Sequence, residues 1–364
     1  MEPALIWEWI IKSVVLIFML ITGFAYLTLY ERKTLARIQV RIGPNRAGPS
    51  GFFQPVADAV KLIFKEELLP EKADKITFLL APIVTVVPAL IILAVVPFGD
   101  KVTLFGRQIS LYITDLNVGI LYITTIASIS VYGIVLAGWS SNNKYATMGG
   151  IRSTAQMISY ELALGLAFIG PILLANSMSL LDIVKAQSPL WYVVFQPLGA
   201  GVFWVSTLAE VNRAPFDMPE AEQELTAGYH TEYSGMKFAL FFMAEYIKMI
   251  AVSAIAATLF FGGYRGPFVD QLPWLGPVYL LIKIVALLFG MIWVRATLPR
   301  IRYDRLMAFG WKLLFPLALG NVVLTAVGVE LYDALKVPLW SITISTAVLF
   351  ILVLWITERQ LARR

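Results

Sequence analysis

Long apolar runs recur along the whole chain, and they constrain its fold more than any other feature. Nine can be counted, at roughly 10–30, 76–97, 116–138, 158–176, 190–208, 238–262, 275–294, 311–328 and 339–357. Each is close to the ~20 residues that a helix needs to cross the hydrocarbon core of a bilayer. Backbone amides find no water partners in lipid, so continuous runs of this kind must be helical. The sequence therefore predicts an all-α, polytopic membrane protein with about nine transmembrane helices, as a single membrane domain over 1–364.

The distribution of positive charge predicts the orientation of these helices. The segments 31–75, 139–157, 209–237, 295–312 and 358–364 together hold 21 Lys and Arg, whereas the alternate segments hold 5. Loops rich in Lys and Arg stay in the cytoplasm. We therefore expect the amino terminus outside and the carboxyl terminus in the cytoplasm. The net charge of +5 is explained by this asymmetry, so it does not indicate nucleic-acid binding.

Several classes of cofactor are excluded by what the sequence lacks. It has no cysteine and a single histidine, so it can supply neither the thiolates of an iron–sulfur cluster nor the paired axial histidines of a membrane haem. No nucleotide-binding glycine loop and no zinc-protease motif is present. We expect no metal and no cofactor bound by this chain.

The cytoplasmic loop 31–75 combines basic residues with an amphipathic segment. Arg32, Lys33 and Arg37 follow the first apolar run directly, where anionic headgroups attract positive charge. Their simplest role is to anchor the loop on the cytoplasmic side. After Pro55, the spacing of Val56, Val60, Ile63 and Phe64 predicts a short helix with one apolar face, which lies at the membrane interface or packs on neighbouring helices.

The cytoplasmic loop 209–237 concentrates acid in a chain that otherwise avoids charge. Its carboxylates are Asp217, Glu220, Glu222, Glu224 and Glu232, and they accompany Arg213 and the single histidine, His230. Pro219 in a first turn predicts a short helix to Leu225, on which Glu220 and Glu224 share a face while Glu222 points away. The loop therefore presents acid in at least two directions.

Three further carboxylates lie at membrane depth, where ionisable residues are rare and are functional by default. They are Glu161, Glu210 and Glu245, and Lys248 lies three residues after Glu245, near enough to pair with it. Residues at span ends, such as Glu210 and Arg295, have the simpler alternative of reaching water. With the acidic loop, the three could form a carboxylate chain that relays protons. A charge ~10 Å away, at an effective dielectric of ~20, changes the energy of each by about 1.7 kcal/mol.

Four long motifs give the chain a specific resemblance. They are YERKTLARIQVRIGPNRAGPSGFFQPVADAVKLIFKE at 30–66, GWSSNNKYATMGGIRSTAQMISYE at 138–161, NRAPFDMPEAEQELTAGYHTEYSGMKFALFFMAEY at 212–246 and VRATLPRIRYDRLMAFGWK at 294–312. All four lie on the predicted cytoplasmic face. In these motifs the chain resembles, over nearly its full length, the H-type membrane subunit of respiratory complex I, the proton-pumping NADH:quinone oxidoreductase, whose mitochondrial counterpart is NADH dehydrogenase subunit one.

The resemblance implies a role and a set of residues. The family's inside loops build much of a chamber for quinone, the substrate, and the implied chamber residues are Arg32, Lys33, Arg37, Asp58 and Phe216. The helix near 55–66, with the first and sixth spans, frames the entrance from lipid. The family's acidic path maps onto Glu161, Glu210, Arg213, Asp217, Glu220, Glu222, Glu224, Glu232 and Glu245.

The resemblance also implies a location and partners. The location is the bacterial cytoplasmic (inner) membrane. The partners are the hydrophilic quinone-site and iron–sulfur subunits and the small membrane-arm subunits of complex I. NADH, FMN and the iron–sulfur clusters belong to those partners.

Two departures and two alternatives accompany the resemblance. Ser128 and Ser130 stand in the third span where some relatives carry an acid, so the path either runs through water held by the serines or never needed that acid. The ninth span, 339–357, exceeds the eight usual in the family. The nearest alternative is the equivalent subunit of an ion-pumping hydrogenase or an F420H2 dehydrogenase. A secondary transporter would explain intramembrane charge, but not the long cytoplasmic loops.

Overall fold

A computed structural model describes residues 3–104, 107–217 and 225–362 of the chain. Its regular elements are almost all helical. In chain order they are α1 (Pro3–Ile38), α2 (Gln54–Phe64), α3 (Lys75–Ile91), β1 (Lys101–Leu104), β2 (Arg107–Ser110), α4 (Gly119–Ser140), α5 (Lys144–Ala175), α6 (Leu180–Ala186), α7 (Tyr192–Phe195), α8 (Pro197–Glu210), α9 (Gly235–Phe260), α10 (Leu275–Thr297), α11 (Tyr303–Phe309), α12 (Phe315–Leu335) and α13 (Trp340–Ala362). The two strands form one antiparallel hairpin between α3 and α4. The predicted all-α fold class is confirmed.

Within the described residues, seven helices are long and apolar enough to cross a membrane. They are α1, α3, α4, α5, α9, α10 and the continuous segment Tyr303–Leu335, which includes α11 and α12 joined by one π-helical turn. A multi-pass membrane protein is thus confirmed. The ninth predicted run corresponds to α13, which packs on α7, α8 and α12.

The fifth predicted span is present as two helices rather than one. α7 ends at Phe195, Gln196 leaves the helical region, and α8 restarts at Pro197. Proline disfavours a helical residue before it and cannot donate the next backbone hydrogen bond, so the break falls where the sequence places Pro197. The side chain of Gln196 is buried and donates to Thr325 Oγ1 at 3.1 Å on α12.

The helix α9 lies at the centre of the bundle. Almost every residue from Tyr246 to Phe260 is buried, and many of them are small. Small side chains let neighbouring backbones approach from all sides. Accordingly α9 packs against α1, α3 and α10, with further contacts to α2, α6 and α8. The polar groups of α9 between Tyr246 and Phe260, Lys248 among them, therefore face protein rather than lipid.

The loop before α9 is fixed to two other helices. Gly149 on α5 lies against the turn Gly228–His230, where a Cβ would approach the Gly228 Cα to 2.5 Å. The ring of Tyr233 stacks on Phe78 at 4.0 Å, and its hydroxyl donates to the Phe78 carbonyl oxygen at 3.2 Å. Burial raises the pKa of Tyr233 to about 12, so this hydroxyl remains a donor at neutral pH.

Candidate functional site

The turn that follows α8 directs Arg213 into the protein. Asn212 adopts a left-handed conformation with φ of 52°, which asparagine tolerates better than most residues. The Nε2 of the fully buried Gln156 on α5 lies 2.8 Å from the carbonyl oxygens of Ala209 and Phe216 and 3.1 Å from Asn212 Oδ1. Three acceptors share the two protons of one amide, so α5 fixes the path of the whole turn.

Arg213 belongs to a group of four charged side chains that we call the ionic cluster: Glu31 on α1, Arg213, Glu245 on α9 and Arg295 on α10. Arg213 Nε lies 2.6 Å from Glu245 Oε1, and its Nη1 lies 3.4 Å from Glu31 Oε1. Arg295 Nη1 pairs with the same Glu31 oxygen. The Arg213 guanidinium also lies 4.3 Å from the centre of the Tyr246 ring. The two negative and two positive charges of the cluster sum to zero.

The ionic cluster is buried as well as paired. Glu31 is 2% exposed and Arg213 is 5% exposed. Buried charges are tolerated only when they are paired and hydrogen-bonded. The predicted pairing of Glu245 with Lys248 is wrong, because Glu245 pairs with Arg213 across the bundle, and among the described residues Lys248 forms no salt bridge. Arg295 pairs with Glu31, and its side chain is also 34% exposed.

A groove of about 410 Å³ leads from the surface toward the ionic cluster. It lies between α1, α2 and α9, and its lining is mainly apolar, with Arg32, Asp58 and Lys61 as its charged residues. Arg32 Nη1 contacts Asp58 Oδ2 at 2.7 Å. Phe242 lines the groove and also lies beneath Arg213, with 6.0 Å from guanidinium to ring centre. One aromatic ring therefore separates the groove from the cluster.

The helix α2 presents its apolar residues outward. Val56, Val60, Ile63 and Phe64 are all exposed, Phe64 to 84%. Water would disfavour such a face, whereas the membrane interface accommodates it. This exposure fits the predicted interfacial position of the segment.

Two small cavities lie deeper in the bundle and share Glu210. One, of about 20 Å³, is lined by Glu161 and Glu210, and the other, of about 10 Å³, by Glu210, Lys248 and Ser130. Each has room for about one water molecule. Glu210 is 7% exposed and Lys248 is 9% exposed. These charged side chains therefore border two small, mainly apolar cavities, and among the described residues neither Glu210 nor Lys248 forms a salt bridge.

The two serines of the third span have different surroundings. Ser128 Oγ donates to Glu161 Oε1. Ser130 is fully buried, donates to the Ala127 carbonyl oxygen at 2.6 Å and borders the cavity of Lys248. One serine therefore bonds an acid directly, and the other could hold water.

The remaining predicted residues are scattered around these features. Phe216 is buried between Tyr160 and Phe309, at ring distances of 5.7 and 6.4 Å. The other contacts are those of Asp217 with Arg300 at 2.8 Å, Glu232 with Asn143 at 2.7 Å, and Lys33 with the Ser50 carbonyl oxygen, whereas Arg37 is exposed. Glu220, Glu222 and Glu224, with the helix predicted at Pro219, lie outside the described residues.

Sequence reasoning missed Glu31 and Gln156. Glu31 directly precedes Arg32, and neighbouring residues on a helix point ~100° apart, so Arg32 reaches Asp58 while Glu31 faces inward to Arg213. A lone acid at the end of an apolar run was the available signal. The sequence around Gln156 contains no such signal, because its three hydrogen-bond acceptors are backbone and side-chain groups more than 50 residues further along the chain.

One protein family matches nearly the whole chain. The model of the NADH dehydrogenase family matches residues 11–326. The chain belongs to that family. The ionic cluster, the groove and both cavities all lie within the matched region.

Individual relatives agree with this membership. The chain is 52% identical to the NADH-quinone oxidoreductase H subunit 2 of Syntrophobacter fumaroxidans over 316 residues, which covers 87% of this chain and 94% of the relative. It is 49% identical to the NADH-quinone oxidoreductase H subunit of Thermomicrobium roseum over 333 residues, covering 88% and 96%. An H subunit 1 of the same enzyme from Geobacter metallireducens is 51% identical over 86% of this chain and 94% of its own length. The chain thus belongs with the H subunits of the NADH-quinone oxidoreductase enzyme complexes.

Proposed function

We propose that this chain forms part of the quinone chamber of a proton-translocating NADH:quinone oxidoreductase in the bacterial cytoplasmic membrane, and that it couples quinone reduction to proton movement. The supporting observation is a continuous series of features. The groove reaches Phe242, Phe242 lies under Arg213, and Arg213 pairs with Glu245, one helical turn before Lys248.

The groove suits a lipophilic quinone. Its lining is mainly apolar, as an isoprenoid tail requires, and it lies between helices that face lipid, so a tail could enter sideways. Arg32 and Asp58 place a donor and an acceptor at one side. A quinone headgroup carries carbonyl oxygens that accept hydrogen bonds, and its reduced form carries hydroxyls that donate them. Lys33 and Arg37 add positive charge on the same cytoplasmic stretch.

Electrons reach the quinone from partner subunits. NADH, FMN and iron–sulfur clusters would be held by the hydrophilic subunits, and small membrane-arm subunits would continue the path beyond this chain. Phe216 would act by packing the turn that carries Arg213, because it is buried between two aromatic rings. Asp217, Glu220, Glu222, Glu224 and Glu232 would form the acidic wall on the cytoplasmic side.

Coupling would be electrostatic. Negative charge that develops on the quinone would first change the electrostatic energy of the ionic cluster. Glu245 belongs to that cluster and lies one helical turn before Lys248, so the change in its charge or position would alter the energy of Lys248. At ~10 Å and an effective dielectric of ~20, one unit of charge changes the energy of a neighbour by about 1.7 kcal/mol. This is enough to shift a proton-transfer equilibrium by about tenfold. Glu210 and Glu161, which share a cavity, would pass the proton on.

The substitution Glu210→Gln tests this proposal. It keeps the shape of the side chain and removes its capacity to hold a proton at that position. We expect assembly of the complex to persist, and NADH-driven quinone reduction and proton pumping to fall together by at least about tenfold. Glu330→Gln on α12 is the matched control, because Glu330 is exposed. Full pumping by the assembled Glu210→Gln complex would contradict the relay.

The assembly itself is tested by its composition. Purification in mild detergent should recover a flavin-containing NADH-oxidising subunit and iron–sulfur subunits together with this chain. Nickel–iron hydrogenase subunits in their place would favour the related hydrogenase, and recovery of the chain alone would favour a secondary transporter.

A further inference from the structure

A second large cavity lies at the opposite end of the bundle from the ionic cluster. Glu245 is separated from Phe260, the last residue of α9, by 15 residues, or ~22 Å of helix. Beyond Phe260, a cavity of about 350 Å³ opens between residues 187–194 and residues 265–270. The quinone proposal makes no use of it.

The two walls of this cavity are tied together by polar contacts. Gln187 is 2% exposed. Its Nε2 donates to the Thr258 carbonyl oxygen at 2.8 Å, and its Oε1 accepts from the Gly262 backbone amide at 2.9 Å. One side chain thus joins the segment before α7 to the end of α9.

Lys283 on α10 fixes the second wall. Its Nζ donates to the carbonyl oxygens of Phe261, Gly263 and Arg265, each at 2.7 Å. An ammonium group has three donors, so all are used. The Nζ also lies 4.8 Å from the centre of the Trp191 ring on the opposite wall. The cavity is therefore preformed, and Lys283 itself has no donor left for a ligand.

Opposite charges line the cavity without neutralising each other. Arg265 and Asp270 both border it, and among the described residues neither forms a salt bridge. The Nε of Arg265 is buried and has no hydrogen-bond partner, although the same guanidinium group hydrogen-bonds the side chain of Tyr264. A buried guanidinium donor without an acceptor is unfavourable, and phosphate is the acceptor that the guanidinium fork fits best.

The surroundings of the cavity are those of a membrane interface. Large apolar side chains that line the cavity are exposed, namely Leu190 at 44%, Trp191 at 42% and Val194 at 50%. Tryptophan is enriched where the bilayer meets water. A water-soluble ligand would have no use for such a rim, whereas the first methylenes of an acyl chain would cover it.

We infer that this cavity binds the headgroup of a zwitterionic aminophospholipid, with its phosphate on Arg265 and its ammonium on Asp270. A purely anionic headgroup would satisfy Arg265 but would be repelled by Asp270. A phosphoethanolamine group carries both charges on one short chain, so its phosphate and ammonium are complementary in sign to Arg265 and Asp270. The inference is independent of the quinone proposal, because it concerns the other end of the bundle.

The experiment compares lipid binding in the whole purified complex. Wild-type and variant complexes are equilibrated with mixed micelles that contain equal amounts of phosphatidylethanolamine and phosphatidylglycerol. They are then washed with lipid-free detergent, and the retained phospholipids are counted by mass spectrometry. We expect Arg265→Gln to retain about one phosphatidylethanolamine fewer per complex than wild type, in keeping with the loss of one charged contact. Lys101→Gln, an exposed cation in β1, should retain the wild-type number.

A second variant tests the ammonium contact without disturbing the phosphate contact. Asp270 is exposed, so Asp270→Asn should leave the fold intact. We expect it to exchange the retained phosphatidylethanolamine for phosphatidylglycerol. Equal retention of phosphatidylethanolamine by wild type and Arg265→Gln would overturn the inference. So would a density map of the assembled complex in which a partner protein fills the cavity.

Discussion

The ionic cluster and the Glu210–Lys248 region are both buried and charged, yet they are built differently. In the cluster, the four side chains pair directly, and Glu31 alone accepts two arginines. Around Glu210, the charges border two cavities that share it, and Lys248 forms no salt bridge among the described residues. Paired charges fix a structure, whereas charges beside water-sized space can change their protonation. We therefore expect substitutions in the ionic cluster to lower the stability of the complex, and substitutions around Glu210 and Lys248 to lower its turnover.

The largest effect should come from Glu31→Gln in the ionic cluster. The change leaves the buried Arg213 with one carboxylate fewer and removes the partner of the partly exposed Arg295. Removal of one partner of a buried ion pair costs about 3–5 kcal/mol. We expect the amount of assembled complex to fall and its thermal inactivation to occur at lower temperature. The control is again Glu330→Gln. Unchanged thermal inactivation would show that the cluster does not hold the bundle together.

The Lys248→Met substitution should have the opposite character. No ion pair is broken, and a buried ammonium group is replaced by an apolar side chain of similar length, which removes a desolvation penalty. We expect stability to be maintained while quinone-reductase turnover falls about tenfold. The reason is that the substitution removes about one unit of positive charge from the surroundings of Glu210. Lys101→Met, at an exposed position, should alter neither quantity. If the variant assembled poorly but each assembled complex turned over normally, Lys248 would contribute to stability rather than to turnover.

The Ser128→Ala substitution tests one contact within the proposed relay. It removes the donor to Glu161 and leaves the backbone of α4 intact. A single hydrogen bond contributes about 1 kcal/mol net, so we expect proton pumping to fall by about fivefold. Thr125→Val on the same helix is the control, because its exposed hydroxyl bonds only the Leu121 carbonyl oxygen. Equal pumping rates in both variants would remove Ser128 from the path.

The smallest effect should come from Arg32→Ala at the groove. The Arg32–Asp58 pair is partly exposed, at 49% and 24%, and such pairs contribute at most about 1 kcal/mol. We expect the KM for quinone to rise about two- to threefold, with little change in the stability of the complex. The control is Arg302→Ala, whose side chain is 77% exposed. An unchanged KM would exclude Arg32 from quinone binding.

Much of the fold could be predicted because membrane helices are encoded locally. Continuous apolar runs specify spans without reference to the rest of the chain, and α1, α3, α4 and α9 fall where those runs lie. The break in the fifth span was also encoded, by Pro197, but an apolar run alone does not reveal it. The short helix α2 was predicted from the spacing of its apolar residues, which is also a local signal.

The sequence singled out several charged residues as candidates, but it did not reveal which side chains they contact. Charges at membrane depth single out Glu161, Glu210 and Glu245 by their rarity, and the structure places all three in the interior or beside it. Their partners could not be read in the same way. Glu245 bonds Arg213, which precedes it by 32 residues in the chain, and spacing within one helix cannot reveal such a partner. Glu31 was overlooked since nothing in its local sequence distinguishes an inward acid from a snorkelling one.

The long helix α5 carries both the clamp on the Arg213 turn and an intramembrane acid, five residues apart at Gln156 and Glu161. A straight helix keeps such an interval as a fixed length and a fixed angle. Insertion of one residue between them would turn Glu161 by about 100° relative to Gln156 and lift it by about 1.5 Å. The acid would then point away from Ser128 although every side chain of both contacts was still present. The number of residues between Gln156 and Glu161 therefore sets the position of the Arg213 turn relative to the acid in the bundle. This spacing matters as much as the identity of the two residues.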